Sequence, residues 1–283
     1  MTESWKRAKH IGRMLLGRQP AGRHLTVYPD DVFLTSYPRS GNAWTRFLVG
    51  NLIYSEPVTF ANVEDRLPEI YLHSNRELLR LSRPRVLKSH EYFDPRYRKI
   101  IYIVRDPRDV MVSMYHYSMK RGEVPDKYPI EEFVRLGLAG EFFEDWATWE
   151  EHVNSWRATR STRSVFLFLR YEDMLADPER ELEKVAEFMN IDPTPERLAR
   201  AVKFSGADHM RNLEKQQSRQ WKLTKKTRQD IPFVREARSG GWKDQLSEAA
   251  VESIEQAWGA TMRQLGYHLA SRSMEAMQQT TVI

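Results

Sequence analysis

The chain has 283 residues and a formal net charge of +5, and 41% of its residues are hydrophobic and 29% charged. This balance is typical of a globular protein and excludes a disordered or fibrous chain. Cysteine is absent, which excludes disulfides, a thiolate nucleophile and a cysteine-ligated metal. The modest basic excess is compatible with a polyanionic small ligand, a nucleic acid or no particular partner.

The apolar pattern bears on location and domain organisation. No apolar run approaches the ~20 residues that cross a bilayer, and a chain without cysteine suits a reducing compartment. We therefore expect a cytoplasmic protein with no stable membrane insertion. Residues 1–28 form a basic extension in which 5–18 have helix-like apolar spacing, typical of a terminal helix packed on its own domain or, alternatively, of a helix on a membrane surface. We predict one domain at 29–270 and a tail at 271–283.

Strand-like and helix-like segments alternate along the chain. Short runs rich in β-branched and aromatic residues predict four strands, at 31–36, 85–88, 99–104 and 164–169. Amphipathic patterns predict helices at 42–54, 107–119, 130–138, 146–159, 178–189, 195–203 and 247–266. This alternation predicts a three-layer α/β fold with a mostly parallel central sheet flanked by helices. The polar segment 210–241 is predicted to be a long irregular excursion, typical of a lid.

The first strand runs into the loop 37–44 (YPRSGNAW) and then a helix. A strand, a tight turn and a helix N-terminus aim backbone N–H groups at one anion, and Gly41 allows a phosphate to approach closely. The loop lacks the lysine and the magnesium ligand of the nucleoside-triphosphate motif G-x-x-x-x-G-K-[ST]. It is therefore predicted to hold a phosphate-like anion without a metal, with Arg39 as the cation; an ordinary polar turn is the alternative.

A second anion site is predicted where the third strand ends at Arg105. Asp106 is a good N-cap and Pro107 suits the first helical position, so a helix begins at once. Ser113 lies about two turns later, roughly 10 Å along the axis. An arginine fork and a hydroxyl suit a phosphate monoester; a well-capped helix with an incidental surface arginine is the alternative.

The second strand ends in Lys88-Ser89-His90, and alternation places Lys88 and His90 on one face. A histidine at this edge can accept a proton from an attacking hydroxyl, and the lysine can stabilise charge on a leaving oxygen. A structural histidine is the alternative. The other histidines have no metal-type spacing such as H-E-x-x-H, so no metal site is predicted.

Taken together, these residues resemble the cytosolic-type sulfotransferase family, which uses 3′-phosphoadenosine 5′-phosphosulfate (PAPS). That family has a 5′-phosphosulfate loop close to T-Y-P-K-S-G-T-T-W, a K-T-H motif, and an arginine followed eight residues later by a serine. Segments 149–156 (WEEHVNSW), 171–174 (YEDM) and 235–243 (REARSGGWK) are similar to three further motifs of the family. The likeness extends over roughly residues 30 to 270, in the same order.

The resemblance implies a P-loop-like fold and transfer of a sulfuryl group from PAPS to a hydroxyl or amine of a small-molecule acceptor, without a metal. The released product would be 3′-phosphoadenosine 5′-phosphate (PAP). Implied catalytic residues are His90 as general base, with Lys88 and Arg39 stabilising charge. Implied donor-binding residues are Arg39, Ser40, Gly41, Asn42, Ala43 and Trp44 for the 5′-phosphosulfate (Trp44 also against the adenine), Arg105, Ser113 and Arg235 for the 3′-phosphate, and Tyr171 along the nucleotide.

Several positions depart from the family pattern. Arg39 replaces a lysine, and a planar guanidinium is not an equivalent donor. Asn42 and Ala43 replace two threonines, which leaves more of the binding to backbone N–H groups. Glu236 replaces a lysine and puts a carboxylate near the expected 3′-phosphate. A dimer is possible, but the family's short dimer motif is degraded, because Glu248 stands at its apolar contact position.

Two other functions remain compatible with parts of the sequence. A nucleoside-triphosphate kinase on a related α/β fold would share the strand, loop and helix, although the G-K-[ST] signature is missing. A nucleic-acid-binding module would use the basic cluster at 222–228, which is more typical of a solvated lid. We expect no nucleic-acid partner.

Overall fold

The computed structural model describes residues 19–141, 146–160 and 165–270. The basic helix predicted within 5–18 and the tail at 271–283 lie outside these residues. The part of the extension that is described packs on the domain: Ala21 and Leu25 are buried in the core, and the Ala21 N–H donates to the carbonyl of His73 at 2.7 Å. In the described ranges, no helix has both the length and the apolar character needed to cross a membrane.

The centre of the molecule is a four-stranded sheet. Its strands are β1 (Val32–Ser36), β2 (Val86–Ser89), β3 (Lys99–Val104) and β4 (Phe166–Arg170). The order is β2-β1-β3-β4 and every neighbouring pair is parallel. The predicted strands and the parallel central sheet are thereby confirmed. Because the strands are parallel, all four carboxyl ends lie at one edge of the sheet, where ligands bind in such folds.

The helices connect and cover the strands. In chain order they are α1 (Asn42–Ile53), α2 (Val63–Arg66), α3 (Asn75–Leu78), α4 (Pro107–Arg121), α5 (Ile130–Leu138), α6 (Trp149–Arg160), α7 (Tyr171–Ala176), α8 (Pro178–Met189), α9 (Pro195–Ser205), α10 (Ala207–Gln217) and α11 (Glu248–Gln264). The predicted N-cap of α4 is present, because Asp106 accepts from the N–H of Arg108. Ser247 caps α11 by accepting from the N–H of Ala250.

Alternate residues of β3 face the two helical layers. Ile100 and Tyr102 belong to a core with Met111 of α4, Trp156 of α6 and Trp258 of α11. The intervening Ile101 and Ile103 belong to a second core, which also contains apolar residues of α1, α8 and α9. A sheet buried on both faces by helices is the three-layer arrangement that the sequence predicts.

The predicted irregular excursion at 210–241 was wrong at its start, because α10 occupies 207–217. This helix has few apolar residues: Met210 and Leu213 pack against Trp221 and Phe233, while Asp208, Asn212, Lys215 and Gln216 are exposed. That narrow apolar stripe gave too weak a periodic signal. The remainder, 218–240, consists of turns and irregular backbone. Helix α6 begins at Trp149, three residues later than predicted.

Candidate active site

The loop after β1 has a backbone that favours glycine. Gly41 has φ = 98° and Arg39 has φ = 66°, both in the left-handed region. A Cβ on Gly41 would lie 2.5 Å from Cδ2 of Tyr171, so a side chain there meets both backbone strain and a clash with α7. The loop therefore turns sharply into α1, whose first N–H groups are left without intrahelical acceptors.

The small residues of this loop divide between the sheet and the cavity beside it. Ser40 is fully buried and its Oγ has no hydrogen-bond partner among the residues described. The amide of Asn42 is turned toward the sheet, where Nδ2 donates to the carbonyl of Leu34 at 3.1 Å and to Oγ of Ser36 at 3.2 Å. Asn42, which stands where the family pattern has its first threonine, thus anchors the loop to the sheet.

Trp44 closes one side of the cavity. Its Nε1 donates to the carbonyl of Ser205 at 3.0 Å, and its ring packs edge-on against Tyr171 with centroids 5.5 Å apart. Ala43, Trp44 and Tyr171 all line the cavity.

Arg39 projects from the loop toward α4. Its Nε donates to Oγ of Ser113 at 3.1 Å, and its guanidinium lies 4.5 Å from the ring centroid of Tyr117 and 4.8 Å from that of Phe233. Burial lowers the pKa of Arg39 to about 10, which still leaves the group cationic at neutral pH. The aromatic rings hold the guanidinium plane in place.

Arg105 lies on the other side of the same loop. It donates to the carbonyl of Arg39 at 3.4 Å and to that of Arg238 at 3.1 Å, and its guanidinium stacks on Tyr171 at 4.3 Å. Its Nε is buried and has no hydrogen-bond partner in the described part of the chain. Arg39 therefore joins Arg105 to Ser113, two residues that the sequence predicted to meet at one anion.

Arg235 reaches the cavity from the irregular segment before residue 241. Burial lowers its pKa, and the nearby cations Arg105 and Arg238 lower it further, against the opposing effect of Glu236. The Glu236 carboxylate, which the sequence placed near the expected 3′-phosphate, is paired with Arg235 at 3.5 Å and with Arg238. Its charge is therefore balanced by arginines.

The irregular segment carrying Arg235 is fastened to the body of the protein by a buried ion pair. Glu214 of α10 accepts from the backbone N–H groups of Phe233 and Val234. Lys120 of α4 lies 3.8 Å from Glu214 and donates to the carbonyl of Ile231 at 2.6 Å. These contacts set Phe233 over Arg39.

His90 follows β2 directly and is buried. Its Nδ1 lies 2.7 Å from the carbonyl oxygen of Ser36, and because a carbonyl only accepts, Nδ1 carries the proton. Nε2 is then the nitrogen with a lone pair, and it accepts no hydrogen bond from any residue that the structure describes. Burial, followed by the charge of Lys88, holds the pKa of His90 well below its usual value. The imidazole is therefore a neutral base.

Lys88 lies on β2 itself and its ammonium is paired. Its Nζ donates to Oε2 of Glu69 at 2.7 Å, and both side chains are buried. Sequence reasoning missed Glu69, because only a tertiary contact between the segment after α2 and β2 brings it beside Lys88.

Most of these groups border one cavity of about 820 Å³. Of the predicted site residues, only Ser40 is absent from its wall. Its lining includes Arg39, Gly41, Asn42, Ala43, Trp44, Lys88, His90, Arg105, Ser113, Tyr171 and Arg235. Ser205, Gly206 and Ala207 also line it and were not predicted, because these small residues show only a loose likeness to a segment of the family pattern.

The cavity suits a ligand with several negative charges at one end. Arg39, Arg105, Arg235 and Arg238 border that end, against the carboxylates of Asp109 and Glu236. The buried Nε of Arg105 lacks a partner within the described ranges, and such a donor is satisfied by an anionic oxygen. The residues present therefore fit a ligand that carries several negative charges, such as a phosphorylated nucleotide.

Comparisons with known proteins agree with this geometry. A model of the sulfotransferase domain family matches residues 29–266. Rat sulfotransferase 1E1 is 29% identical over 255 residues, which cover 83% of this chain and 84% of the rat protein.

Two solved structures share the fold. Mouse sulfotransferase SULT7A1, complexed with PAP, has a TM-score of 0.68 and 22% identity and covers 86% of this chain and 87% of its own. A retinol dehydratase in a complex with retinol and PAP has a TM-score of 0.68 and 22% identity, covering 86% of this chain and 84% of its own. These likenesses confirm the predicted three-layer, P-loop-like fold.

Proposed function

Because the chain belongs to the sulfotransferase domain family and is therefore an enzyme of sulfuryl transfer, we propose that it moves a sulfuryl group from PAPS to a hydroxyl or amine of a small-molecule acceptor. The observation that carries this proposal is a neutral imidazole with an unused Nε2, set in the same cavity as a cluster of arginines. A base and a polyanion site in one cavity are what the reaction needs. We further propose a cytoplasmic location, which the absence of cysteine suits.

Donor binding is assigned to the loop after β1 and to the arginines beside it. The loop N–H groups and Arg39 would hold the 5′-phosphosulfate, with Ser40 to Trp44 forming the turn. Arg105, Ser113 and Arg235 would hold the 3′-phosphate, and Tyr171 and Trp44 would border the base. The PAP in two structures of the same fold supports this assignment for the class of ligand.

His90 is the proposed general base. Nε2 would take the proton of the acceptor hydroxyl as the acceptor oxygen bonds to sulfur and the bond from sulfur to the phosphate oxygen breaks, in line and on the opposite side. The Nδ1–H bond to the Ser36 carbonyl fixes the ring and stabilises the imidazolium that results. The sulfuryl group comes from the bound donor.

Lys88 and Arg39 are proposed to stabilise charge on the bridging and sulfuryl oxygens. Both are cations at the wall of the cavity, and preorganised charge aimed at a developing anion is often worth several kcal/mol. Aromatic side chains near His90 would form the acceptor end: Trp146 packs against His90 with centroids 5.8 Å apart. The retinol bound by one structural relative supports a small apolar acceptor.

The test is the variant His90→Ala, assayed for turnover and for PAP binding. Loss of the base should lower kcat by about 10²–10⁴-fold, while the PAP affinity measured by calorimetry stays within about twofold, because His90 is not assigned to the donor phosphates. His24→Ala, on an exposed histidine, is the matched control and should behave as wild type. A His90→Ala variant that keeps most of its activity would contradict the assignment.

A further inference from the structure

The pair formed by Glu69 and Lys88 is built by backbone as well as side chains. Glu69 and Lys88 form an isolated parallel β-bridge, in which the Ile70 N–H donates to the Lys88 carbonyl at 3.2 Å and the Lys88 N–H donates to the Pro68 carbonyl at 2.9 Å. The two side chains then meet at 2.7 Å between Nζ and Oε2. The Lys88 side chain is 5% exposed and that of Glu69 8%, and both residues border the cavity.

A second layer fixes Glu69 in turn. Its N–H donates to Oε2 of Glu64 at 3.0 Å. The Glu64 carboxylate also accepts from Arg46 at 2.9 Å and from the indole of Trp221 at 2.8 Å. Glu69 Oε1 accepts no hydrogen bond from the residues described. The Glu69 backbone is thus fixed, Oε2 is bonded to Lys88, and Oε1 is available to a ligand in the cavity.

The charges around Lys88 determine how Glu69 affects the ionisation of the lysine. Burial is the largest effect and lowers the pKa of the Lys88 ammonium; Glu69 and, more weakly, Glu64 raise it, and the buried guanidinium of Arg46 lowers it. His90 also senses this charge, since Lys88 lowers the pKa of the imidazole. A buried ammonium whose close counter-ion is removed loses its proton more easily. Glu69 is the near counter-ion of Lys88 at this position.

We propose that Glu69 is a positioning residue for sulfuryl transfer, which keeps Lys88 in its ammonium form and holds that ammonium beside His90. The inference rests on the proposed function, because it concerns the cation that acts in the same reaction. The carboxylate that holds the Lys88 ammonium comes from the tertiary contact between Glu69 and β2 and lies outside the motifs that carry the family resemblance.

The first test measures Lys88 directly, in the protein without donor. With lysine labelled at ¹³Cε and the Lys88 resonance assigned by Lys88→Arg, Glu69→Gln should move the titration of Lys88 to lower pH by at least about one pH unit. Glu123→Gln is the matched control, since Glu123 borders the same cavity but pairs with Arg121 at 2.6 Å; it should leave the titration in place. An unchanged titration in Glu69→Gln would overturn the inference, whatever reaction the enzyme performs.

The second test measures the reaction. Because Lys88 acts as a cation, the rate falls as pH rises through its pKa, so Glu69→Gln should move the alkaline limb of the kcat profile to lower pH. Glu69→Asp, which keeps the charge, should restore the limb at least in part. A purely structural role would lower kcat equally at all pH values, and that result would also overturn the inference. Thermal unfolding of each variant identifies any that fail to fold, and Glu69→Ala, which also removes the carboxylate, replaces Glu69→Gln if the amide variant does not fold.

Discussion

Arg39 occupies the position where the family pattern has a lysine, and its surroundings suit a guanidinium. The Nε bond to Ser113 and the two flanking rings of Tyr117 and Phe233 need a planar group with several donors. A lysine ammonium has a single point of charge and cannot fill both roles. The departure is therefore matched by the side chains around it.

Arg39→Lys should consequently weaken donor binding, although the charge is conserved. Loss of the bond to Ser113 and of the ring contacts is expected to raise the Kd for PAP by at least about tenfold, because a hydrogen bond to a charged group contributes about 1.5–3 kcal/mol and about 1.4 kcal/mol is tenfold. Arg121→Lys, on an exposed arginine at the cavity wall, serves as the control and should leave the Kd unchanged. Equal affinity for PAP in Arg39→Lys and wild type, measured by calorimetry, would contradict this reading.

The ionisation of His90 predicts how activity changes as pH falls below neutrality. A general base works in its neutral form, and burial together with the charge of Lys88 holds the pKa of His90 well below 6.5. The rate therefore falls only when pH drops through this lowered value. The profile of kcat/KM for the donor, which reports the free enzyme, should stay level from neutrality to below pH 6.5. An acid limb at or above pH 6.5 would show that the imidazole is not buried in this way or is not the base.

At the scale of elements, the unit β1–loop–α1 positions the site through a glycine that no other residue replaces without cost. Gly41→Ala puts a Cβ 2.5 Å from the ring of Tyr171 and an alanine at φ = 98°. The backbone cost alone is about 1–2 kcal/mol, and the clash displaces either the loop or Tyr171. We expect a lower free energy of unfolding and a PAP affinity reduced at least tenfold.

Substitution of a second glycine, Gly140, separates the backbone strain of Gly41→Ala from its clash with Tyr171. Gly140 has φ = 79° and open space where a Cβ would be, so Gly140→Ala carries the backbone cost without a clash. It should lower the free energy of unfolding in urea by a similar 1–2 kcal/mol and leave PAP binding intact. If both variants lost PAP affinity alike, the contact between Gly41 and Tyr171 would not be what shapes the site.

Elements whose signals are local were predictable, and those defined by packing were not. Asp106 and Pro107 mark the start of α4 by themselves, and the strong apolar stripe of α5 gave both of its ends. Helix α10 was missed, since its apolar residues are few and acquire a core only when Trp221 and Phe233 fold over them. Helix caps and apolar periodicity depend on residues that are close in sequence, whereas such packing depends on residues that are distant in sequence.

Across the whole molecule, the parallel order β2-β1-β3-β4 brings residues from 39 to 235 to one edge of the sheet. The sequence predicted which residues gather there, because each follows a predicted strand or matches a motif. It did not predict how they pair. Ser113 is bonded to Arg39 rather than to Arg105, and Lys88 is bonded to Glu69. Such partners depend on the distances between elements, which the order of residues along the chain does not give.

The proposed reaction requires that the arginine-lined cavity binds PAPS and that the sulfuryl group of PAPS passes to an acceptor. The most direct measurement follows ³⁵S from labelled PAPS into a panel of phenols, alcohols and amines, in a buffer with chelator, while PAP release is quantified. We expect labelled acceptor and PAP in equal amounts, with no requirement for ATP or magnesium, and tight binding of PAP. No labelled acceptor from any member of the panel, together with magnesium-dependent binding of ATP in preference to PAP, would contradict it and favour a kinase.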